Sequence, residues 1–185
     1  MKTSTIKFFA AIFSCMCLTH LQAQTMKDID GNEYNTVTIG TQTWLKENLK
    51  VTKFNDGTPI PVVSDSAVWV NLTTPGMCWY NNEKEKYTVN KYAALYNWYA
   101  VNSGKISPKG WHVPTDAEWT ILLEYLKANG CSWYRVSYGN KVSKSMASAT
   151  NDWIVSEKEG TPGNDVSKNN KNGFSALPAG SRSYF

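Results

Sequence analysis

The run Gly110-Trp111-His112-Val113-Pro114-Thr115-Asp116-Ala117-Glu118-Trp119 leads an extended, proline-punctuated segment into the start of a helix. Thr115 followed three residues later by Glu118 is the pattern of a capping box, in which each side chain satisfies a backbone N–H that the first helical turn leaves open. The spacing predicts a helix over 116–129, with Trp119, Leu122, Leu123 and Leu126 as its inward stripe and Gly130 at the left-handed position that ends it. His112, between Trp111 and Pro114, reads as a structural histidine whose ring nitrogens bond nearby backbone.

Working outward, residues 26–49 alternate in short strand-like stretches: Asp30-Gly31 turns, Tyr34, Val37 and Ile39 have strand character, and Gly40-Thr41 turns into Gln42-Thr43-Trp44. A second turn at 55–59 precedes the strand-like Ile60 to Val63, Val68-Trp69-Val70 follow, and Trp79-Tyr80 are expected on a strand. Tyr92, Leu95, Tyr96, Trp98 and Tyr99 recur at helical spacing, so Lys91 to Val101 is predicted as a buried helix. Ser156 to Gly173 is almost free of apolar residues and reads as loop, after which Phe174 to Leu177 is strand-like. The expected class is α+β, an irregular fold of short strands and two helices.

The chain has 185 residues, 42% of them hydrophobic and 18% charged, which suits one globular domain. Lys2 and Lys7, the apolar run Phe8 to Leu18 and the small-residue ending Leu21-Gln22-Ala23 form a secretory signal, so residues 1–23 are expected to be removed and 24–185 to form the exported domain. The destination is the cell surface, the medium or the periplasm. Loss of two lysines lowers the formal charge of +4, which disfavours nucleic acid as a partner, and no apolar run in the processed chain is long enough for a membrane span. The residues before Cys15 and Cys17 are a poor match to a lipidation site.

Further stretches carry a resemblance. Thr38-Ile39-Gly40-Thr41-Gln42-Thr43-Trp44 with Glu47-Asn48-Leu49, then Cys78-Trp79-Tyr80-Asn81-Asn82, Leu95-Tyr96-Asn97-Trp98-Tyr99, the Trp111-His112 run and Gly173-Phe174-Ser175-Ala176-Leu177-Pro178-Ala179-Gly180 follow one another in a fixed order. Together they resemble the Fibrobacter succinogenes major paralogous domain, an exported bacterial domain common in Bacteroidetes-like organisms. The resemblance implies a C-type-lectin-like fold similar to that of formylglycine-generating enzymes, with Trp111, His112, Pro114, Thr115, Glu118 and Trp119 as its structural motif. It implies no known activity. Two departures stand out: Ser107 replaces a cysteine found in many members, and members continue past the Leu-Pro-Ala-Gly string, so a C-terminally truncated product is expected.

Candidate sites follow from residue chemistry. His112 is the one histidine beyond the signal, which excludes a multi-histidine zinc site and leaves no evident catalytic set. Asp28-x-Asp30-Gly31 alternates hard oxygens, but Gly31 is fourth and Ile39 twelfth where an EF-hand needs a glycine sixth and a glutamate twelfth, so a hairpin turn is expected. Asn164, Asp165, Asn169 and Asn170 are the weak candidates for a structural calcium; no other cofactor is implied. Trp79, Tyr80, Trp98 and Tyr99 either stack on sugar rings or fill the core. Cys78 and Cys131 either bridge in an oxidising compartment or leave Cys78 free, the resemblance pairing it with a late cysteine that this sequence lacks. The functional expectation is a non-catalytic lectin-like module for adhesion or for an unknown glycan or protein ligand. A truncated paralogue without independent function is the first alternative, and a formylglycine-generating enzyme, disfavoured for want of late cysteines, the second.

Overall fold

The computed structural model describes residues 25–85, 92–131 and 142–183. Residues 1–23, where the signal is expected, with Cys15 and Cys17, and Lys91 at the start of the expected second helix lie outside the described residues. The described chain is α+β, with small antiparallel sheets, short helices and long stretches of irregular backbone.

Strands β1 (Thr25–Lys27), β2 (Glu33–Ile39) and β3 (Gln42–Leu45) form an antiparallel meander in which Val37 pairs with Trp44 and Ile39 with Gln42. The β1–β2 turn is built on Asp28, whose carboxylate accepts from the backbone N–H of Asp30 and Asn32, the Asn32 amide and the Tyr34 hydroxyl. Those bonds occupy the oxygens that a metal loop would have offered, and the hairpin reading holds. The β2–β3 turn needs Gly40 on two counts: its φ is +62°, and a Cβ there would lie 2.9 Å from the Tyr125 ring.

The helix predicted over 116–129 is present as α3, Asp116–Ala128, with both halves of the Thr115–Glu118 capping box formed. It lays Leu122 and Leu126 on the hairpin, and these join Ile39, Trp44, Cys131, Val142 and Met146 in one core cluster. Trp119 is not inside this stripe; it sits at the surface, 38% exposed.

A second cluster gathers Val51, Phe54, Ile60, Met77, Trp79, Ala100 and Ile106. Here the helix predicted over Lys91–Val101 is corrected. Leu95–Tyr96 is strand β5, paired with β4 at Met77–Cys78, and only Trp98–Val101 is helical, as α2. Asn97 separates the two: its side-chain Oδ1 accepts from Ala100 N and from Gly76 N, capping the helix and fastening the approach to β4 at once. Nor is the segment buried throughout, since Trp98 is 67% and Tyr99 42% exposed. The strand expected at Trp79-Tyr80 ends at Cys78, because Tyr80–Asn82 turns as a short 3-10 helix with positive φ at Asn81 and Asn82. Val68, Trp69 and Val70 fall in helix α1, Ser66–Val70, capped by Asp65. The strand expected at 174–177 is reduced to a single bridge between Ala176 and Ala147, which follows helix α4, Ser143–Met146.

Leu122→Ala is expected to destabilise the domain by about 3 kcal/mol, while Ile121→Ala, one residue away on the exposed face, costs less than about 0.5 kcal/mol. Denaturant unfolding of the two variants measures the difference.

Candidate functional site

β3 alternates its side chains, so Gln42 and Trp44 project from the same face. That face is the floor of a cleft of about 650 Å³. Ser107, Pro108 and the Trp111-His112-Val113-Pro114 run form one wall, Glu118 and Trp119 of α3 a second, and Leu45, Glu47, Leu49 and Phe174 complete the lining. The motif that announces the helix is therefore also a wall of this cavity. Trp44, Trp119 and Phe174 pack as tilted rings, with centroids 4.8 Å apart for the two indoles, 5.8 Å for Trp44 and Phe174 and 6.1 Å for Trp119 and Phe174.

The charges at the cleft are already engaged. Glu118 Oε2 accepts from the backbone N–H and the hydroxyl of Thr115, both at 2.8 Å, and Oε1 lies 2.7 Å from His112 Nε2. The Thr115 backbone N–H first, then its hydroxyl and His112, hold the Glu118 carboxyl down to about 2. Glu47 accepts two bonds from Asn35, at 2.8 and 2.7 Å. His112 thus bonds a carboxylate rather than backbone, and its ring is exposed, which corrects the expected partner. Two polar atoms of the floor have no partner among the described residues: Trp44 Nε1 and Gln42 Oε1 are buried and unbonded, although Gln42 Nε2 donates to the Glu118 carbonyl at 3.0 Å.

The four aromatic residues singled out from the sequence do not form one face. Trp79 is buried in the second core cluster, as the packing alternative anticipates. Tyr80 borders a separate polar hollow beside Arg182, which donates to Asn82 Oδ1 and the Ser64 carbonyl and lies 5.1 Å over the Trp69 ring. Trp98 and Tyr99 stand in solvent on α2 and line neither cavity. Gln42 and Trp44 were not singled out, although the alternation of Gly40-Thr41-Gln42-Thr43-Trp44 after a hairpin turn puts both on one face and is the signal that could have found them.

The loop of the weak calcium candidates gathers its oxygens around an internal cation. Lys144 Nζ is held by the carbonyls of Thr161, Asn164 and Asp165 and by Asn169 Oδ1, and the lysine is fully buried. Burial lowers its pKa, and the charge of Asp165 opposes that shift. The Asp165 carboxylate itself turns to Lys168 at 2.8 Å, while Asn170 Oδ1 accepts from Ser175 N. No group of three or more His, Cys, Asp or Glu side chains suited to a metal occurs among the described residues.

Cys78 and Cys131, for which a bridge and free thiols were both open from the sequence, are free and buried. Cys131 packs in the α3 cluster, whereas Cys78 is on β4, where burial pushes its thiol up and the Arg182 guanidinium pulls it back.

Fold and cleft define an α+β domain with an aromatic-walled cavity built on its most distinctive sequence motif. The chain matches the model of the Fibrobacter succinogenes major domain over residues 37–184, and it belongs to that family. All the motif stretches quoted above fall within that span. No curated protein and no solved structure matches it. No helix among the described residues is long and apolar enough to cross a membrane.

Two outcomes follow from these geometries. Lys144→Met leaves several buried carbonyls without their donor and is expected to cost roughly 3 kcal/mol, read from chemical denaturation. Because folding lowers the Glu118 pKa, its contribution to stability is present above its ordinary 4.5 and is lost as pH falls through about 2. Glu118→Gln is therefore expected to flatten that part of the acid limb in a plot of melting temperature against pH.

Proposed function

We propose that this domain is an exported, non-catalytic ligand-binding module of the C-type-lectin-like class, and that its ligand enters the cleft between β3, the 107–114 segment and the start of α3. One observation carries the reading: Trp44 and Gln42 of the cleft floor carry a buried indole donor and a buried amide acceptor without partners among the described residues. Each such group costs about 1–3 kcal/mol relative to a satisfied one, and structural cores rarely retain that cost. A binding site retains it because the ligand supplies the missing partners.

A non-catalytic role is supported by how the reactive groups are held. His112 is engaged with the helix-capping carboxylate, and both described thiols are buried in packed surroundings. Export is supported by the order of charged, apolar and small residues in 1–23.

Immobilised purified chain, probed with an array of polysaccharides, glycoproteins and peptides, tests this reading. The expected result is retention of at least one class of ligand, lost in both Trp44→Phe and Trp119→Ala, with the ligand recovered chemically unchanged. Binding that persists in both variants overturns the cleft as the site; a cleaved or modified ligand overturns the non-catalytic role.

A further inference from the structure

We infer that the cleft takes a neutral pyranose, stacked on the Trp119 face and bonded through its hydroxyls to Trp44 Nε1 and Gln42 Oε1. The inference rests on the cleft as the binding site and adds the chemical class of its ligand.

Three properties of the cavity select that class. The first is the pair of orphaned atoms, one an obligate donor and the other an acceptor, on residues two apart along one strand face. A hydroxyl accepts and donates through the same oxygen, so one hydroxyl or two neighbouring ones on a ring complete both. An ionised carboxylate or a phosphodiester can only accept, and an ammonium can only donate; each would leave one of the two atoms unsatisfied.

The second is charge. Both carboxylates of the lining are internally bonded, Glu118 to Thr115 and His112 and Glu47 to Asn35, and no lysine or arginine belongs to it among the described residues. Nothing there is free to neutralise an ionic ligand, and burying an unpaired charge is costly.

The third is shape and surface. Trp119 and Phe174 offer aromatic walls, and a pyranose with equatorial hydroxyls presents a flat C–H face to such a wall and hydroxyls at its edge. The cavity of about 650 Å³ lies within the range of sites for small ligands and exceeds the needs of one sugar ring. A short stretch of an oligosaccharide therefore fits better than a free monosaccharide.

Both orphaned atoms are shielded from solvent, so access to them needs a neighbouring side chain to give way. Trp119 is the ring able to do so: it is 38% exposed, whereas Trp44 is 8% exposed and fixed in the core. The ligand-bound state accordingly has the Trp119 indole displaced outward from its present contact with Trp44.

The test follows the indole N–H resonances of the ¹⁵N-labelled chain during titration with cellohexaose, N-acetylchitohexaose, a polygalacturonate fragment and an uncharged Gly/Ser/Asn peptide. The expected result is a saturable shift of the Trp44 resonance with at least one of the two neutral oligosaccharides and not with polygalacturonate. Affinity should fall by about tenfold or more in Trp119→Ala and Trp44→Phe, a loss in line with deletion of one stacking or hydrogen-bonding anchor, and stay unchanged in Trp98→Ala, whose indole is exposed outside the cleft. A Trp44 shift with the peptide or polygalacturonate alone overturns the sugar class and leaves the cleft reading standing. Sugar binding that moves other indoles and not Trp44 overturns both. No response to either neutral oligosaccharide overturns the sugar class.

Discussion

Glu118 joins segments that the sequence keeps apart. Its carboxylate holds the backbone and hydroxyl of Thr115 and the ring of His112, and its own carbonyl receives the Gln42 amide from the hairpin. The first contacts start helix α3 and the second sets the rim of the cleft. The third locks the helix to β3, so that Leu122 and Leu126 meet Ile39 and Trp44 in register. That bond adds a polar tie to the packing of Leu122 and Leu126 against Ile39 and Trp44, so the helix, the hairpin and the cleft walls share one frame.

The rest of the fold follows the same economy of side-chain anchors. Strands of two to seven residues supply few ladder bonds, so the irregular backbone between them must find partners elsewhere. Asp28 gathers the first turn, Asn97 ties the β5–α2 junction to Gly76 and Thr74, and Tyr96 donates from β5 to the Val51 carbonyl at 2.7 Å. Each is a short polar side chain, or a buried one with a polar tip, doing what a longer sheet would do with backbone. The high content of Trp and Tyr belongs to this plan, since large rings fill volume between segments that do not pack as regular layers.

What was legible in the sequence was local and self-contained. The capping box and the hairpin carry their reasons within a few residues, whereas the 156–173 stretch, marked as loop only by its want of apolar residues, includes a 3-10 turn at Val166–Lys168 and is organised from outside by Lys144. Family membership was legible in the ordered motif strings. The Lys91–Val101 segment reads as one helix because its aromatic spacing mimics one, while Asn97, a single polar residue, divides it through bonds to Gly76 and Thr74, just before β4 and more than twenty residues earlier. Trp119 was misread as core because helical periodicity ignores that the partner hairpin is only a few residues wide. The cleft was half legible: its motif wall could be named, but the meeting of Gln42 and Trp44 with that wall depends on long-range packing. Lys144 could not be foreseen, for a lysine in a polar stretch usually reaches solvent.

The ammonium of Lys144 has a consequence for how this domain meets its surroundings. A loop organised by a diffusible ion exists only where that ion is abundant, and it opens wherever a chelator competes for it. Here the cation is attached to the backbone by its own side chain, 17 to 25 residues from the oxygens it gathers. Dilution cannot remove it, and its local concentration is set by chain geometry rather than by the medium. The loop 161–170 therefore keeps the same shape across environments that differ widely in dissolved metal.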